Sequence, residues 1–544
     1  MGRITKYRPL YPWLGGLNTS VDPMILDPQN LTIADNIIFT TSGARKKRGG
    51  QTRYNSSAIG GTAAENVVFL YDYWATVSNV KREYFVAVTD SGKAYRSSGN
   101  GTWASFSTLS LTVSQGGVTA TVMNEDLILG LKGSGVPKVW SNQSTSSNLV
   151  ALSASSGSLP FSSAWIVTDF LERLFVAGDP ANPDKVYVSK AGDYTNWTAT
   201  GTAGGGITLD VGVGDGDSDG ITALFPGTGA DRILYVAKRR RLYRIDCSDL
   251  DQTEWKITLI SKEIGCVNHN TVATIDDSDV IFASDRGIHT ISQVVSSTAI
   301  REGNFLSFPI QYDYINVISS ADRNRMSAVY VPSLNSYLLA CKRSGQSTYE
   351  TVYGYNIEVG QWFRWTSVPC NFLMRRLNKT SGAEELYAGA GSGRVNILQQ
   401  SELNDFGAPI VARFKTTFIA PDGVPFVENQ FTNLACIYRA HDNSTFRVYY
   451  SVDGLTTQSV VFQQKIAGGN TLGTTLLGSG YLLGQIQAIK PVWNHLTISE
   501  GNTLQLTFEQ DGLDEDIELF GIIIEYQTDE ESQNAFTSPL YSSS

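Results

Sequence analysis

The chain has 544 residues, 42% apolar, 11% aromatic and only 17% charged, with 51 glycines; this excludes a disordered protein and points to a well-buried one dense in tight turns. Its net charge of −10 argues against tight general binding of nucleic acid. The charge is uneven, with eight Lys/Arg against three Asp/Glu in residues 1–60 and six against seventeen in 401–544, so different partners are expected for the two ends.

No apolar run approaches the length of a membrane span, the N-terminus lacks a secretory h-region, and Lys6 breaks the myristoylation pattern. The expectation is a chain without a membrane anchor, made and kept in a cytoplasm or in something assembled there. Five cysteines at 247, 266, 341, 370 and 436 have no CxxC or zinc-ligand spacing and read as buried thiols.

In chain order, the first feature is an apolar but irregular leader. Pro9, Pro12, Pro23 and Pro28 remove backbone donors and push their neighbours toward extended conformations. They disfavour a helix or a central strand before the strand-like run Ile37–Phe39. Such a segment is disordered or laid across another surface. A basic run, Arg45-Lys46-Lys47-Arg48, closes it.

From residue 63 to about 400 the sequence repeats a strand-turn-strand plan. REYFVAVTDSGKAYRS (82–97), EDLILGLKGSGVPKVWS (125–141), ERLFVAGDPANPDKVYVSKAG (172–192), DRILYVAKRRRLYRID (231–246), SDVIFASDRGIHTIS (278–292), the stretch 335–362 and EELYAGAGSGRVNIL (384–398) all follow it. Their first strands recur 43 to 59 residues apart. That period predicts an all-β propeller of six to eight four-stranded blades, each repeat contributing two visible strands. Hairpins of ordinary β-sandwiches are the plainer alternative.

After Gln400 the rhythm changes. FRVYYSVDGLTTQSVVFQQ (446–464) reads as a hairpin turning at Asp453-Gly454, and 502–526 ends in a buried apolar strand. Residues 401–530 are expected to form a β-sandwich or platform, and 531–544 a flexible tail.

Chemistry is sparse. GDGDSDG (214–220) matches the first half of a calcium loop, but counting from Asp215 puts Pro226 where the bidentate Glu belongs, and the flanks are strands. Loop chemistry between strands is the simpler reading of Asp215, Asp217 and Asp219. SVDG (451–454) and SDRG (284–287) fall short of the Asp boxes of sialidase propellers. The histidines at 269, 289, 441 and 495 have no ligand spacing, and GxSxG and GxxxxGK[ST] do not occur. No catalytic, cofactor or metal residue is therefore nominated, and no enzyme is expected. The second basic run, KRRR (238–241), sits in a turn. Either run could neutralise phosphates or simply be a solvated tip.

Taken together, Leu14-Gly15-Gly16-Leu17-Asn18-Thr19, Asp22-Pro23, Ala34-Asp35-Asn36 and Gly43-Ala44-Arg45-Lys46-Lys47-Arg48-Gly49-Gly50 resemble the leader of tail nozzle proteins of short-tailed bacteriophages, also called tail tubular or packaged-DNA stabilisation proteins. Residues 172–197 and 214–224 look like parts of blades of that family. The resemblance implies a structural virion protein, a homo-hexameric ring below the portal and adaptor. The ring would extend the double-stranded DNA channel without sequence-specific contact, retain the packaged genome, and offer docking surface to fibres or spikes. The leader would then be an arm lying on its own propeller or on a neighbouring subunit. Arg45, Lys46, Lys47 and Arg48 would be a partner-docking cluster. The alternative from another class is a glycan-binding, receptor-recognition propeller using Trp140, Trp197, Trp255 or Trp362, although these positions also read as blade-core aromatics.

Overall fold

The computed structural model describes residues 3–61, 65–77, 79–99, 101–107, 109, 111–141, 148–199, 203–216, 219–229, 232–296, 302–378, 381–423, 425–439, 444–455, 457–463 and 491–529. The expected tail 531–544, Asp217 and His441 lie outside these residues. The chain divides into two units: residues 1–51, 355–366 and 399–544 form one, and residues 52–354 and 367–398 the other.

The second unit is a β-propeller. Four blades are consecutive four-stranded antiparallel sheets. They are Val67–Val77, Val80–Thr89, Ala94–Ser97 and Ala104–Ser105; Val118–Met123, Asp126–Leu131, Lys138–Trp140 and Val150–Ala151; Ile166–Phe170, Arg173–Ala177, Lys185–Val188 and Ile207–Asp210; and Ile221–Pro226, Ile233–Lys238, Leu242–Asp246 and Lys256–Ser261. A three-stranded sheet follows, Ala273–Ile275, Asp279–Ala283 and Ile288–Thr290. The next blade holds Ser327–Val331, Ser336–Cys341 and Thr351–Asn356. In the sixth, Phe372–Leu377, Glu384–Gly389 and Val395–Gln400 take Gly50–Arg53 as fourth strand. Every repeat read from the sequence is the second-and-third-strand hairpin of one of these sheets.

Two features close the ring. Asn371 donates its side-chain amide to the Val67 carbonyl at 3.1 Å, and Phe372 packs on Phe69 with centroids 4.7 Å apart. Between neighbouring blades, hydroxyls of first strands bond the backbone of the next. Thr119 donates to the Trp165 carbonyl, Thr168 to Leu224 and Thr222 to Cys266 (2.6, 3.2 and 2.6 Å). A β-branched residue with a hydroxyl suits this position, because it holds the strand and satisfies a buried carbonyl of the adjoining blade. Apolar side chains fill much of the blade interfaces, as around Phe175, Val186, Leu224 and Val236, and the ion pair of Arg376 with Asp72 (2.7 Å) joins the last blade to the first. All five cysteines are buried free thiols, as expected.

The first unit holds two sheets. In one, Ile37–Phe39, Arg45–Lys47, Glu518–Asp529, Asn429–Arg439 and Pro491–Gly501 pair in that order, and Arg3–Leu10 pairs with the rest of Glu518–Asp529 from Arg3 opposite Asp529 to Leu10 opposite Ile522. In the other, Gln361–Thr366 is followed by Leu31–Asp35, Ala412–Thr416, Leu504–Gln510, Thr445–Val452 and Gln458–Gln463. Trp13, fully buried, packs on the stacked Phe414 and Phe508 rings (6.1 and 5.7 Å).

The leader is thus laid across a surface, as expected, but a different one. It belongs to the same unit as the C-terminal strands, and the expected division at residues 62, 400 and 530 is not how the chain packs. The reason is hydrogen bonding. Glu518–Asp529 would be an edge strand, and Arg3–Leu10 and Arg45–Lys47 cap that edge. The proline-rich stretch 11–30 holds no strand, only an isolated bridge from Leu17 to Leu31. Contrary to the expectation of no central strand before Ile37, Leu31–Asp35 lies between Gln361–Thr366 and Ala412–Thr416, because the last proline of the leader, Pro28, precedes it.

Candidate functional site

Most residues singled out by sequence fall into two built clusters, and cavities occur among the described residues besides. The first cluster is the leader. Gly15 and Gly16 let the chain pass flat against its neighbours: a Cβ on Gly15 would meet the Gln29 carbonyl oxygen at 2.1 Å. Leu17 donates to the Trp362 carbonyl, and Leu31 to that of Gly16, both at 2.8 Å. Asp22 and Asp27 accept from the amides of Met24 and Gln29 (2.8 Å each), so each Asp-Pro is a side-chain-closed turn. Asn36 adopts φ 56° and spends its amide completely. It donates to Thr366 Oγ1 and the Val411 carbonyl (3.0 and 2.9 Å) and accepts from Arg48 Nε and the Thr366 amide (3.0 and 2.9 Å).

The basic cluster that closes the leader is not a docking surface. Arg45, Lys47 and Arg48 are 0%, 0% and 2% exposed. Arg45 donates to the carbonyls of Trp13, Gly15 and Gln29 and lies 4.0 Å from the Trp13 ring centroid. Burial pushes its pKa well down, although backbone dipoles and the indole face keep the guanidinium hydrogen-bonded. Lys47 donates to Gln510 Oε1 (2.6 Å) and the Gly512 carbonyl (3.1 Å). Burial lowers its pKa to about 8, against the opposing pull of Asp516 and Glu515. Arg48 forks onto Asp405 (2.9 and 2.5 Å). Only Lys46 reaches the surface, 3.6 Å from Asp516. Three of the four turn into a packed interior. Arg45 finds its partners 16 to 32 residues upstream in the leader, whereas Lys47 and the Arg48–Asp405 fork draw on residues 357 to 465 positions downstream, where local sequence gives no signal.

The same pairing revises the reading of charge asymmetry. Arg3 with Glu500, Lys6 with Asp422, Lys46 with Asp516 and Arg48 with Asp405 join the basic start of the chain to its acidic end. The two ends are partners of each other.

The second cluster gathers three separate motifs around the fourth blade. Lys238, opening KRRR, is fully buried and donates to Asp184 (2.6 Å), Asp215 (2.8 Å) and the Gly212 carbonyl (3.2 Å). Tyr243 also donates to Asp215 at 2.5 Å, and Arg241 Nε lies 3.5 Å away. Arg239 then forks onto Asp285 of SDRG (2.6 and 3.1 Å). Asp215 of the calcium-like loop is therefore answered by side-chain cations, and no grouping of metal-ligand side chains occurs among the described residues. In SDRG, Ser284 Oγ accepts from the amides of Arg286 and Gly287 and lies 2.8 Å from His289 Nε2. Burial, then Arg286, lowers the His289 pKa to about 3. In SVDG, Asp453 accepts from the Asn502 and Thr503 amides. Both acidic boxes are turn chemistry.

Of the tryptophans weighed for sugar contact, Trp140, Trp197 and Trp362 are buried, at 0%, 7% and 0% exposure. Trp255 alone of the four is partly exposed.

One cavity, of about 370 Å³, is lined by Tyr71, Asp72, Thr119, His269, Asn270 and Arg375 among others. Its floor is the short turn His269–Thr271. Asn270 donates to Val118 (3.1 Å), Tyr337 donates to Thr271 (3.0 Å), and His269 bonds the Leu224 backbone. The turn therefore ties first strands of separate blades to one another. A larger cavity, of about 500 Å³, lies between the third and fourth blades.

No family model and no curated protein sequence matches this chain. Solved structures resembling it include YCF48 from Cyanidioschyzon merolae (TM-score 0.38, 11% identity, 64% of this chain and 99% of that one). BBS1N in complex with ARL6DN is similar at TM-score 0.38 and 14% identity, over 68% and 97% of the two chains. Exo-beta-1,3-galactanase from Phanerochaete chrysosporium is similar at TM-score 0.25 and 13% identity, over 83% and 95%. At such values none of the three speaks to what this chain binds.

Proposed function

We propose that the chain is a structural protein of a short phage tail, the nozzle subunit that assembles as a hexameric ring below the portal and adaptor. There it extends the DNA channel, retains the packaged genome and receives fibres or spikes. The observation that carries this reading is the leader. The positions on which the resemblance rests, Gly15, Gly16, Asn36, Arg45, Arg48 and Gly50, are those that the packing of the first unit requires. A leader motif with a structural reason at each of these positions belongs to the architecture and not to an active site. The acidic and basic motifs are likewise consumed by internal pairing, which suits a rigid building block. Because the His269–Thr271 turn links blades inside the propeller, the DNA channel in this reading forms between copies and not through one propeller.

The test is electron microscopy of the source virions labelled with an antibody against residues 401–529, with copy number by quantitative mass spectrometry. Label at the tail tip with six copies per particle is expected. Label on peripheral fibres, copies in multiples of three without a ring, or no label would each overturn it.

A further inference from the structure

The cavity between the third and fourth blades is built around a buried cation that no carboxylate among the described residues answers. Arg173 is 4% exposed. One guanidinium nitrogen donates to the carbonyls of Ser189 and Gly205 (2.9 and 2.6 Å), and the other reaches only Gln252 Oε1 at 3.5 Å. The group lies 5.5 Å from the Trp255 ring. Arg45 and Arg323 are also buried and bound to carbonyls, but Arg173 lines a cavity of about 500 Å³, within the size range of small-ligand sites. Burial lowers the Arg173 pKa, the signature of a charge short of compensation.

The rest of the lining has a definite chemistry. Arg232, exposed, adds a second guanidinium, while Glu172 and Asp249 bring two carboxylates, and Trp255 and Leu250 supply apolar surface. The Trp255 indole N–H is committed to the Asp249 carbonyl at 3.0 Å, which fixes that wall. A simple anion would meet the two acids unfavourably. A ligand carrying one carboxylate and several hydroxyls satisfies both halves. Its carboxylate accepts from Arg232 and from the Arg173 nitrogen held only by the long 3.5 Å bond to Gln252, and its hydroxyls donate to Glu172 and Asp249.

We infer that this interblade cavity is a binding site for an acidic sugar unit, a hydroxylated carboxylate of the uronic acid kind. The site goes beyond the structural role proposed above and does not depend on it, since binding is read on the free chain whether or not a ring forms.

The probe is D-glucuronate, with D-glucose and inorganic phosphate as comparisons, titrated into the full chain by calorimetry and by saturation-transfer NMR. Saturable binding of glucuronate in the millimolar range or tighter is expected. Glucose should bind at least about tenfold more weakly, as loss of a charge-assisted hydrogen bond predicts. Arg232→Gln, at an exposed position, should weaken glucuronate by about tenfold on the same ground and leave the melting temperature unchanged. Arg173→Lys should weaken it further, and circular dichroism must show that variant folded for its result to count beside Arg232→Gln. Absence of saturable binding, equal affinity for glucose, equal affinity for phosphate, or glucuronate binding indifferent to Arg232→Gln would each overturn the assignment.

Discussion

Replacing Arg45 tests how the leader is held. Its guanidinium is the donor that the carbonyls of Trp13 and Gly15 find among the described residues, and it also reaches Gln29. Arg45→Met leaves two buried carbonyls unpaired, at about 1–3 kcal/mol each, and removes a cation–π contact at 4.0 Å worth about 1–2 kcal/mol. Against this stands relief of several kcal/mol for no longer burying a charge. The net expectation is a loss of about 2–4 kcal/mol. Arg45→Lys should be worse. An ammonium keeps the desolvation cost but cannot fork onto two carbonyls held on different turns of the leader. Hydrogen exchange by mass spectrometry gives the local readout, following the amides of Leu17 and Leu31, which bond to Trp362 and Gly16. A loss of 2–4 kcal/mol corresponds to exchange roughly 30- to 1000-fold faster. Unchanged leader exchange in both variants, or Lys tolerated better than Met, would refute the account of Arg45 as the leader's central anchor.

Other consequences follow from the same geometry. His289, 1% exposed with its pKa held near 3 by burial, binds a proton less readily folded than unfolded. Its contribution to stability is therefore complete above pH 6.5 and is lost as pH falls, by about 2 kcal/mol at pH 5; His269, lowered to about 4 by burial, acts in the same direction. Urea melts of wild type and His289→Gln between pH 7 and 5 should show the variant losing less, and parallel curves would sink the argument. Lys238→Met removes the buried ammonium that Asp184 and Asp215 share, leaving Asp215 with Tyr243 and Arg241, and should cost about 3 kcal/mol. Pairing it with Asp215→Asn should recover part of that loss, which a double-mutant cycle measures. Gly15→Ala drives a Cβ into the Gln29 carbonyl and should cost more than about 2 kcal/mol, seen as leader exchange faster than in wild type. A silent Gly15→Ala would mean the leader does not lie as described.

The sequence by itself determined the local units. Alternating β-branched and aromatic runs broken by Gly and Asp turns specify a hairpin whatever surrounds them, so each repeated hairpin was legible, and with it the propeller. Burial of the five thiols was legible too, because cysteine is inert and apolar without a nearby partner. Proline placement was legible only in part: residues 11–30 hold no strand, but Pro9 lies in the strand Arg3–Leu10 and Leu31–Asp35 is a central strand ahead of Ile37.

What only tertiary structure decided was every relation between distant segments. Arg45-Lys46-Lys47-Arg48 has the composition of a solvated basic run, and its alternation inward became visible only when Glu518–Asp529 lay beside it. The opposite charges of the two ends gave no hint that they would pair, nor did GDGDSDG, KRRR and SDRG that they would meet at one blade. Composition records how much charge a segment carries; which charges are desolvated together depends on partners from 16 to several hundred residues away in the chain, and that is settled by packing.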